Sequence, residues 1–180
     1  MNSLKNQFKL HIGQRNIKTA VAATICALGY FLIDRNPTFA CIGAVFGMGS
    51  DMGNSYLNGG NRFFGTVIGG FLGMALFRIY IIFYPEGGYH LLLALMIFIG
   101  VVILILLSQM FHWPGAIQPG GVVLSIILFN TPVETYISYS LNRMLDTGIG
   151  VLVALLINYL FPRDHISPIL KILKNKSGKI

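Results

Sequence analysis

Residues 91–107 read LLLALMIFIGVVILILL, an uninterrupted apolar run of 17 residues without a charge. At the rise of an α-helix this run covers about 25 Å, which approaches the hydrocarbon thickness of a bilayer. His112 and Trp113 follow the run, where rings with one polar edge prefer the membrane interface. This stretch therefore predicts a helix that crosses a membrane.

The composition extends this prediction to the whole chain. Of 180 residues, 54% are hydrophobic and 11% are charged, whereas soluble domains carry about 25% charged residues. Further apolar segments, separated by turn-forming residues, predict an all-α integral membrane protein of about six transmembrane helices. The predicted spans are 18–33, 38–53, 63–84, 91–107, 116–129 and 141–161.

Two of these boundaries rest on glycine and proline. Residues 54–62 are rich in glycine and asparagine, which predicts a loop before the third span. Pro119, Gly120 and Gly121 interrupt the fifth span near its start. A broken or re-entrant helix is the alternative there, because such helices often line a cavity.

Basic residues fix the orientation of the predicted transmembrane domain, which covers 1–165. A short amphipathic segment, 1–15, precedes the first span, and a basic tail, 166–180, follows the last. With both termini in the cytoplasm, 10 of the 13 Lys and Arg residues lie on the cytoplasmic side, as the positive-inside rule requires. We therefore expect a multi-pass protein of the cell membrane that contacts anionic lipid head groups, and no nucleic acid partner.

A sequence repeat relates the two halves of the chain. Residues 61–69, NRFFGTVIG, match residues 142–150, NRMLDTGIG, at an offset of 81 residues. Because three predicted spans separate the copies, the halves would run in opposite directions, as in the two inverted three-helix repeats of many transporters. Arg62 would then face the cytoplasm and Arg143 the outside.

The same repeat places a cation four residues before a hydroxyl, and a third copy of this R-x-x-x-T pattern opens the first span. Residues four apart share a helix face, and the N-terminus of a helix favours anions. These features suit a carboxylate. The alternative is that the cations only anchor the spans by reaching lipid phosphates. The candidate substrate-binding residues are Arg15, Lys18, Thr19, Arg62, Thr66, Arg143 and Thr147.

Two acids and a glycine pattern carry further hypotheses. Asp146 is a candidate ion-pair partner of Arg143, three residues away, and Asp51 is a candidate proton-binding group or a plain interfacial carboxylate. A set of glycines recurs every four residues, which predicts close packing against a neighbouring span or a second subunit. These glycines are Gly65, Gly69 and Gly73.

Signatures of soluble enzymes are absent from the sequence. It contains no H-E-x-x-H, no G-x-S-x-G and no P-loop, and its four histidines are scattered among loops and ends. Cys26 and Cys41 both fall in apolar segments, which favours packing over a disulfide. We therefore expect no catalytic residues, no cofactor and no metal site.

Fragments spread over nearly the whole chain resemble one family. In their order and spacing they are similar to the aromatic acid exporter family, itself related to the fusaric acid resistance proteins and, more distantly, the plant aluminium-activated malate transporters. The resemblance implies a six-span domain, export of organic acids, and subunits that pair to build the conduction path. The matching stretches are Gly13-Gln14-Arg15 with Lys18-Thr19-Ala20, Phe39-Ala40 with Ile42 and Ala44, residues 55–62 with Gly65-Thr66 and Gly69, and Asn142-Arg143 with Asp146-Thr147, Gly150, Ala154 and Asn158.

The spans, the cations and the resemblance together predict a membrane exporter or channel-like transporter of organic acid anions, aromatic acids among them. An inside-negative potential drives an anion outward by about 2.3 kcal/mol per 100 mV, so export needs no ATP site. We expect a homo-oligomer, with a dimer favoured. The alternative is a non-transporting membrane scaffold or subunit that acts through helix–helix contacts.

Overall fold

The computed structural model describes residues 13–162, and in that range it is all-helical. Each predicted span corresponds to one helix, so the all-α fold is confirmed. Most of the predicted amphipathic segment and the whole basic tail lie outside the described residues. The helices are α1 (Gln14–Leu32), α2 (Thr38–Gly47), α3 (Met52–Phe83), α4 (Leu91–Met110), α5 (Ile117–Asn130) and α6 (Tyr136–Leu160), with a 3-10 turn at Pro114–Ala116.

Helix α3 begins well before the predicted third span, so the predicted loop at 54–62 is wrong. Asp51 caps this helix, because its Oδ1 accepts the backbone N–H of Asn54 at 2.8 Å. Gly59 and Gly60 lie inside the helix for a packing reason: a Cβ on Gly60 would collide with the Trp113 ring. Close contact with neighbouring elements overrides the weak helix propensity of these glycines.

Helix α5 is continuous over its 14 residues, which removes the broken-helix alternative. Pro119 lies in the first turn, where its missing N–H would have had no partner inside the helix in any case. The proline is therefore compatible with the start of a helix.

Of the helices within residues 13–162, α3, α4 and α6 are long and apolar enough to cross a membrane. Helices α2 and α5 are apolar but have 10 and 14 residues, which cover about 15 and 21 Å of a hydrocarbon core about 30 Å thick. Helix α1 has 19 residues with a polar first turn. Six complete crossings therefore stay a prediction.

Successive helices alternate in direction, as contacts between their ends show. At one end, Lys18 Nζ donates to Asn158 Oδ1 and Asn158 Nδ2 donates to Ser55 Oγ, both at 2.8 Å. These bonds join the beginnings of α1 and α3 to the end of α6. At the other end, Arg35 Nη2 donates to Asn142 Oδ1 at 3.0 Å, which joins the turn after α1 to the beginning of α6. We call these the Lys18 end and the Arg35 end.

The predicted glycine face of α3 packs on α5 of the same subunit. A Cβ on Gly69 would collide with the backbone of Gly120, and a Cβ on Gly65 would meet the backbone of Ala116 at 2.5 Å. Gly73 lies against Ile127 farther along. Small residues let two backbones approach closely where no hydrophobic force draws helices together. The glycine face of α3 therefore packs against a neighbouring helix of the same subunit.

Helix α6 packs on α2 in the corresponding way. A Cβ on Gly150 would collide with the backbone of Ala40, and one on Gly43 would meet the carbonyl oxygen of Thr147 at 2.6 Å. The third helix of each half therefore packs on the second helix of the other half. Two inverted three-helix repeats would produce this exchange, although the repeat itself stays a prediction.

Candidate functional site

A cavity of about 670 Å³ opens at the Lys18 end, between α2, α3 and α5. Its polar side chains come from three helices, and no acidic side chain of the described residues lines it. Three of them belong to α3, where Asn58 is three residues before Asn61 and four before Arg62, so that it neighbours both on the helix surface. The polar lining is Arg15, Asn58, Asn61, Arg62 and Gln118, and Phe46 belongs to the apolar wall.

Arg62 supplies the half-buried positive charge of this cavity. Its guanidinium carbon lies 5.3 Å from the centre of the Phe46 ring, a cation–π contact. Its Nε is buried and has no hydrogen-bond partner, and no described carboxylate pairs with it. The described residues thus leave this cation without a counter-charge.

Arg143 is buried deeper, at 2% exposure. Its guanidinium carbon lies 4.2 Å from the centre of the Phe39 ring, and its Nη1 donates to the Tyr139 hydroxyl at 2.9 Å. Its Nε, like that of Arg62, has no partner. The two copies of the sequence repeat therefore carry equivalent, incompletely bonded guanidinium groups.

The two guanidinium groups approach one another from opposite ends of α2. Phe39 and Phe46, which they contact, are two turns apart on that helix, or about 10 Å. Arg62 lines the cavity at the Lys18 end, whereas Arg143 follows Asn142, which marks the Arg35 end. That the two arginines face opposite sides of the membrane stays a prediction.

The predicted role of the helix N-terminus fails for two of the three R-x-x-x-T copies. Arg62 follows the start of α3 at Met52 by ten residues, and Arg143 follows the start of α6 at Tyr136 by seven. The helix dipole attracts an anion only within the first turn of a helix. Only Arg15 lies in the first turn of its helix.

Two threonines of the pattern bond to their own helix. Thr19 Oγ1 donates to the Arg15 carbonyl at 2.8 Å, and Thr66 Oγ1 donates to the Arg62 carbonyl at 2.9 Å. Thr66 is fully buried. Thr147 differs, because its Oγ1 is buried without a partner. Of the three hydroxyls, that of Thr147 is the one whose hydrogen-bonding capacity is unused.

Lys18 belongs to a separate polar network. It is 5% exposed and bonds Asn158, which bonds Ser55, whose Oγ also accepts the backbone N–H of Gly49 at 2.8 Å. This network ties α1, α3 and α6 together at the Lys18 end. The structure does not place Lys18 among the cavity-lining residues with Arg15 and Arg62.

Asp146 pairs with a different arginine from the one expected. Its Oδ1 lies 2.9 Å from Arg35 Nη2 and accepts the Tyr30 hydroxyl at 2.7 Å. The predicted pairing with Arg143 is therefore wrong, since the carboxylate turns toward α1. This leaves Arg143 without the neutralising partner that sequence spacing offered.

Asp51 is exposed and caps α3. Hydrogen bonds from the backbone and side chain of Asn54 hold the pKa of this carboxyl below its ordinary value. A depressed pKa stabilises the charged form at neutral pH. This favours the interfacial, capping interpretation of Asp51 over the proton-binding one.

Sequence reasoning missed the amides of the cavity. Asn58 and Asn61 fall in the segment predicted as a loop, and Gln118 falls in the span for which a broken or re-entrant helix was the alternative. The signal that could have found them is their spacing, since Asn58 and Arg62 are four residues apart on any continuous helix. Phe46 offered no comparable signal, because it is one of many apolar residues in its helix.

Chemically, the cavity fits an organic anion. A half-buried guanidinium that has no counter-charge among residues 13–162 is costly in a low-dielectric site, and a bound carboxylate would offset that cost with charge-assisted hydrogen bonds. The amides can bond polar substituents, and the ring of Phe46 offers an apolar contact. Within residues 13–162, no group of three or more metal-ligating side chains comes together.

Comparison with known proteins gives one match. The sequence model described as aromatic acid exporter family member 1 matches residues 10–161. No curated protein and no solved structure matches the chain.

Proposed function

The chain belongs to the aromatic acid exporter family, and on that premise we propose that it carries organic carboxylates outward across the cell membrane through the Arg62 cavity. Family membership supports the export of acids by a membrane protein. The observation that carries the proposal is the half-buried Arg62 guanidinium, which lines a cavity of about 670 Å³ without an acidic partner among the described residues.

The position of Arg62 supports transport over anchoring. A cation that anchors a helix to lipid phosphates lies near the helix end, where a long side chain can reach the interface. Arg62 instead lies ten residues inside α3, with its Nε buried. Arg15, at the first turn of α1, lines the same cavity and would attract the anion at its entrance.

The membrane potential supplies the driving force in this proposal. With both termini in the cytoplasm, the Lys18 end and its cavity face the inside, so an anion enters from the cytoplasm and moves toward the positive side. The gain of about 2.3 kcal/mol per charge per 100 mV corresponds to roughly a 50-fold concentration ratio. No ATP or obligatory proton carrier is required.

A second subunit would complete the conduction path. The cavity lies beside apolar side chains that are exposed in one subunit, among them Phe46 at 61% and Val122 at 49%. A charged cavity open to lipid is unfavourable, and a symmetric partner laid over this face would enclose it. We propose a homodimer for this reason, built from inverted repeats and six crossings per subunit.

Flux in liposomes tests the proposal. Purified protein is reconstituted, and the efflux of radiolabelled benzoate is followed with an imposed inside-negative potential. Potential-dependent efflux above protein-free liposomes supports export. Efflux no greater than in protein-free liposomes would favour the alternative, a membrane scaffold that acts through helix contacts.

A further inference from the structure

Arg143 is enclosed more completely than its counterpart in the cavity. It is 2% exposed, and Thr147, one turn farther along α6, is 1% exposed. Both residues leave a buried polar atom without a partner, Nε in Arg143 and Oγ1 in Thr147. Residues four apart share a helix face, so the unpaired donor and the unpaired hydroxyl belong to one locality.

No acidic side chain among the described residues compensates the charge of Arg143. The nearest acid in sequence, Asp146, forms an ion pair with Arg35 and accepts a hydrogen bond from Tyr30. Within residues 13–162, Arg143 itself bonds one neutral hydroxyl, that of Tyr139. An isolated buried cation is costly in protein and more so in a membrane, so the site favours an anion.

The bonds that Arg143 already makes decide which edge of it is free. Phe39 covers the guanidinium plane and Tyr139 takes Nη1, which leaves the edge that carries Nε. A guanidinium edge presents parallel N–H donors that match the two oxygens of a carboxylate. Thr147 can add a third donor.

We infer that Arg143 and Thr147 form an inner carboxylate site, in line with the Arg62 cavity and covered by the ring of Phe39. This inference rests on the proposed function and adds to it a second occupied position about 10 Å farther along α2. An anion passes from the open site at Arg62 to the closed site at Arg143 when Phe39 moves aside. Anions in adjacent sites repel each other, and this repulsion weakens binding enough for the anion to leave the inner site.

The number of bound anions tests the inference, including in a protein that shows no flux. Equilibrium dialysis of radiolabelled benzoate against the purified full-length protein should find two benzoates per subunit. Arg143→Gln and Arg62→Gln should each bind one, and Arg78→Gln, which removes an exposed arginine of α3, should bind two. Two benzoates bound to Arg143→Gln would overturn the inner site. If Arg143→Gln loses one benzoate and Arg62→Gln loses none, the Arg62 site is overturned instead.

The geometry of the free edge is tested with a lysine. Arg143→Lys keeps the charge but removes the parallel donors, so benzoate should bind the inner site about tenfold more weakly. Competition by chloride, a spherical ion that needs no such edge, should change less than twofold. A parallel loss for benzoate and chloride would show that the site recognises charge alone and would overturn the carboxylate assignment.

Phe39 is tested by the rate of release. In Phe39→Ala, benzoate should leave the inner site at least tenfold faster than in the unaltered protein, in a stopped-flow dilution experiment. Phe31→Ala, at an exposed ring of α1 that contacts neither arginine, serves as the control. An unchanged release rate in a Phe39→Ala protein that still binds two benzoates would contradict the role of Phe39 as a cover.

Discussion

Arg35 and Asp146 form an ion pair with 2.9 Å between Nη2 and Oδ1, which fastens the turn after α1 to an inner turn of α6. The Asp146 side chain is 6% exposed and the Arg35 side chain 38%. Tyr30 adds a second bond to the same carboxylate oxygen. The pair therefore fixes the packing of α1 on α6. It also binds Asp146, the acid close to Arg143 in the sequence, so that this carboxylate does not neutralise Arg143.

Removal of Arg35 should destabilise the fold. Arg35→Gln leaves the buried Asp146 carboxylate with only the Tyr30 hydroxyl, at an expected cost on the order of 2 kcal/mol. Unfolding by sodium dodecyl sulfate in mixed micelles measures this free energy. Arg78→Gln, at an exposed position of α3, should stay within about 0.5 kcal/mol. Equal stability of the two variants would show that the ion pair contributes nothing.

The polar network at the Lys18 end should respond to loss of its central member. Asn158→Ala removes one hydrogen bond from Lys18 and one to Ser55, and each buried hydrogen bond contributes about 0.5–1.5 kcal/mol, more where the partner is charged. We expect about 2 kcal/mol or more by the same titration. Tyr159→Phe, at the exposed neighbour, is the matched control and should be neutral. Equal free energies of unfolding for Asn158→Ala and Tyr159→Phe would show that water replaces the network without a loss of stability.

Two glycines should respond oppositely to alanine. A Cβ on Gly150 would collide with the Ala40 backbone, while a Cβ on Gly29 meets no atom within 4 Å. Gly150→Ala should therefore lose at least about 2 kcal/mol, because backbone cannot move aside as a side-chain tip can. Gly29→Ala should gain up to about 1 kcal/mol from helix propensity. Thermal unfolding of both in detergent checks this, and a tolerated Gly150→Ala would argue against the close packing of α2 on α6.

Accessibility of single cysteines tests the proposed orientation. With Cys26 and Cys41 changed to serine, Ile33→Cys at the Arg35 end and Met52→Cys at the Lys18 end are both on exposed residues. In intact cells a membrane-impermeant maleimide should label Ile33→Cys only, and Met52→Cys should react after permeabilisation. Labelling of both from one side would contradict the alternation of the helices across the membrane.

Much of the fold could be predicted from the sequence, because apolar runs long enough to cross a bilayer have few other interpretations. The start of α3 could not, since Gly59 and Gly60 favour a loop locally and are helical only because Val151 and Trp113 pack against them. Helix α5 was obscured in the same way by Pro119 and the glycines after it. Where local preference and packing disagree, a single sequence reveals only the local preference.

The candidate site was predicted in part. The repeat identified Arg62 and Arg143, and the structure gives both an unpaired Nε and an aromatic ring. Which helix each side chain faces depends on the rotation of every helix about its axis, and spacing alone does not supply that. Lys18 consequently bonds Asn158 instead of lining the cavity with Arg15, and Asp146 pairs with Arg35 instead of Arg143.

The central claim is that Arg62 lies on the path of the transported anion, and benzoate efflux from proteoliposomes at an inside-negative potential tests it most directly. Arg62→Gln should lower the initial rate at least tenfold, while Arg78→Gln, which removes the same charge from an exposed position of the same helix, should keep at least half of it. Equal rates in these two variants, with both proteins folded and reconstituted to the same density, would contradict the account.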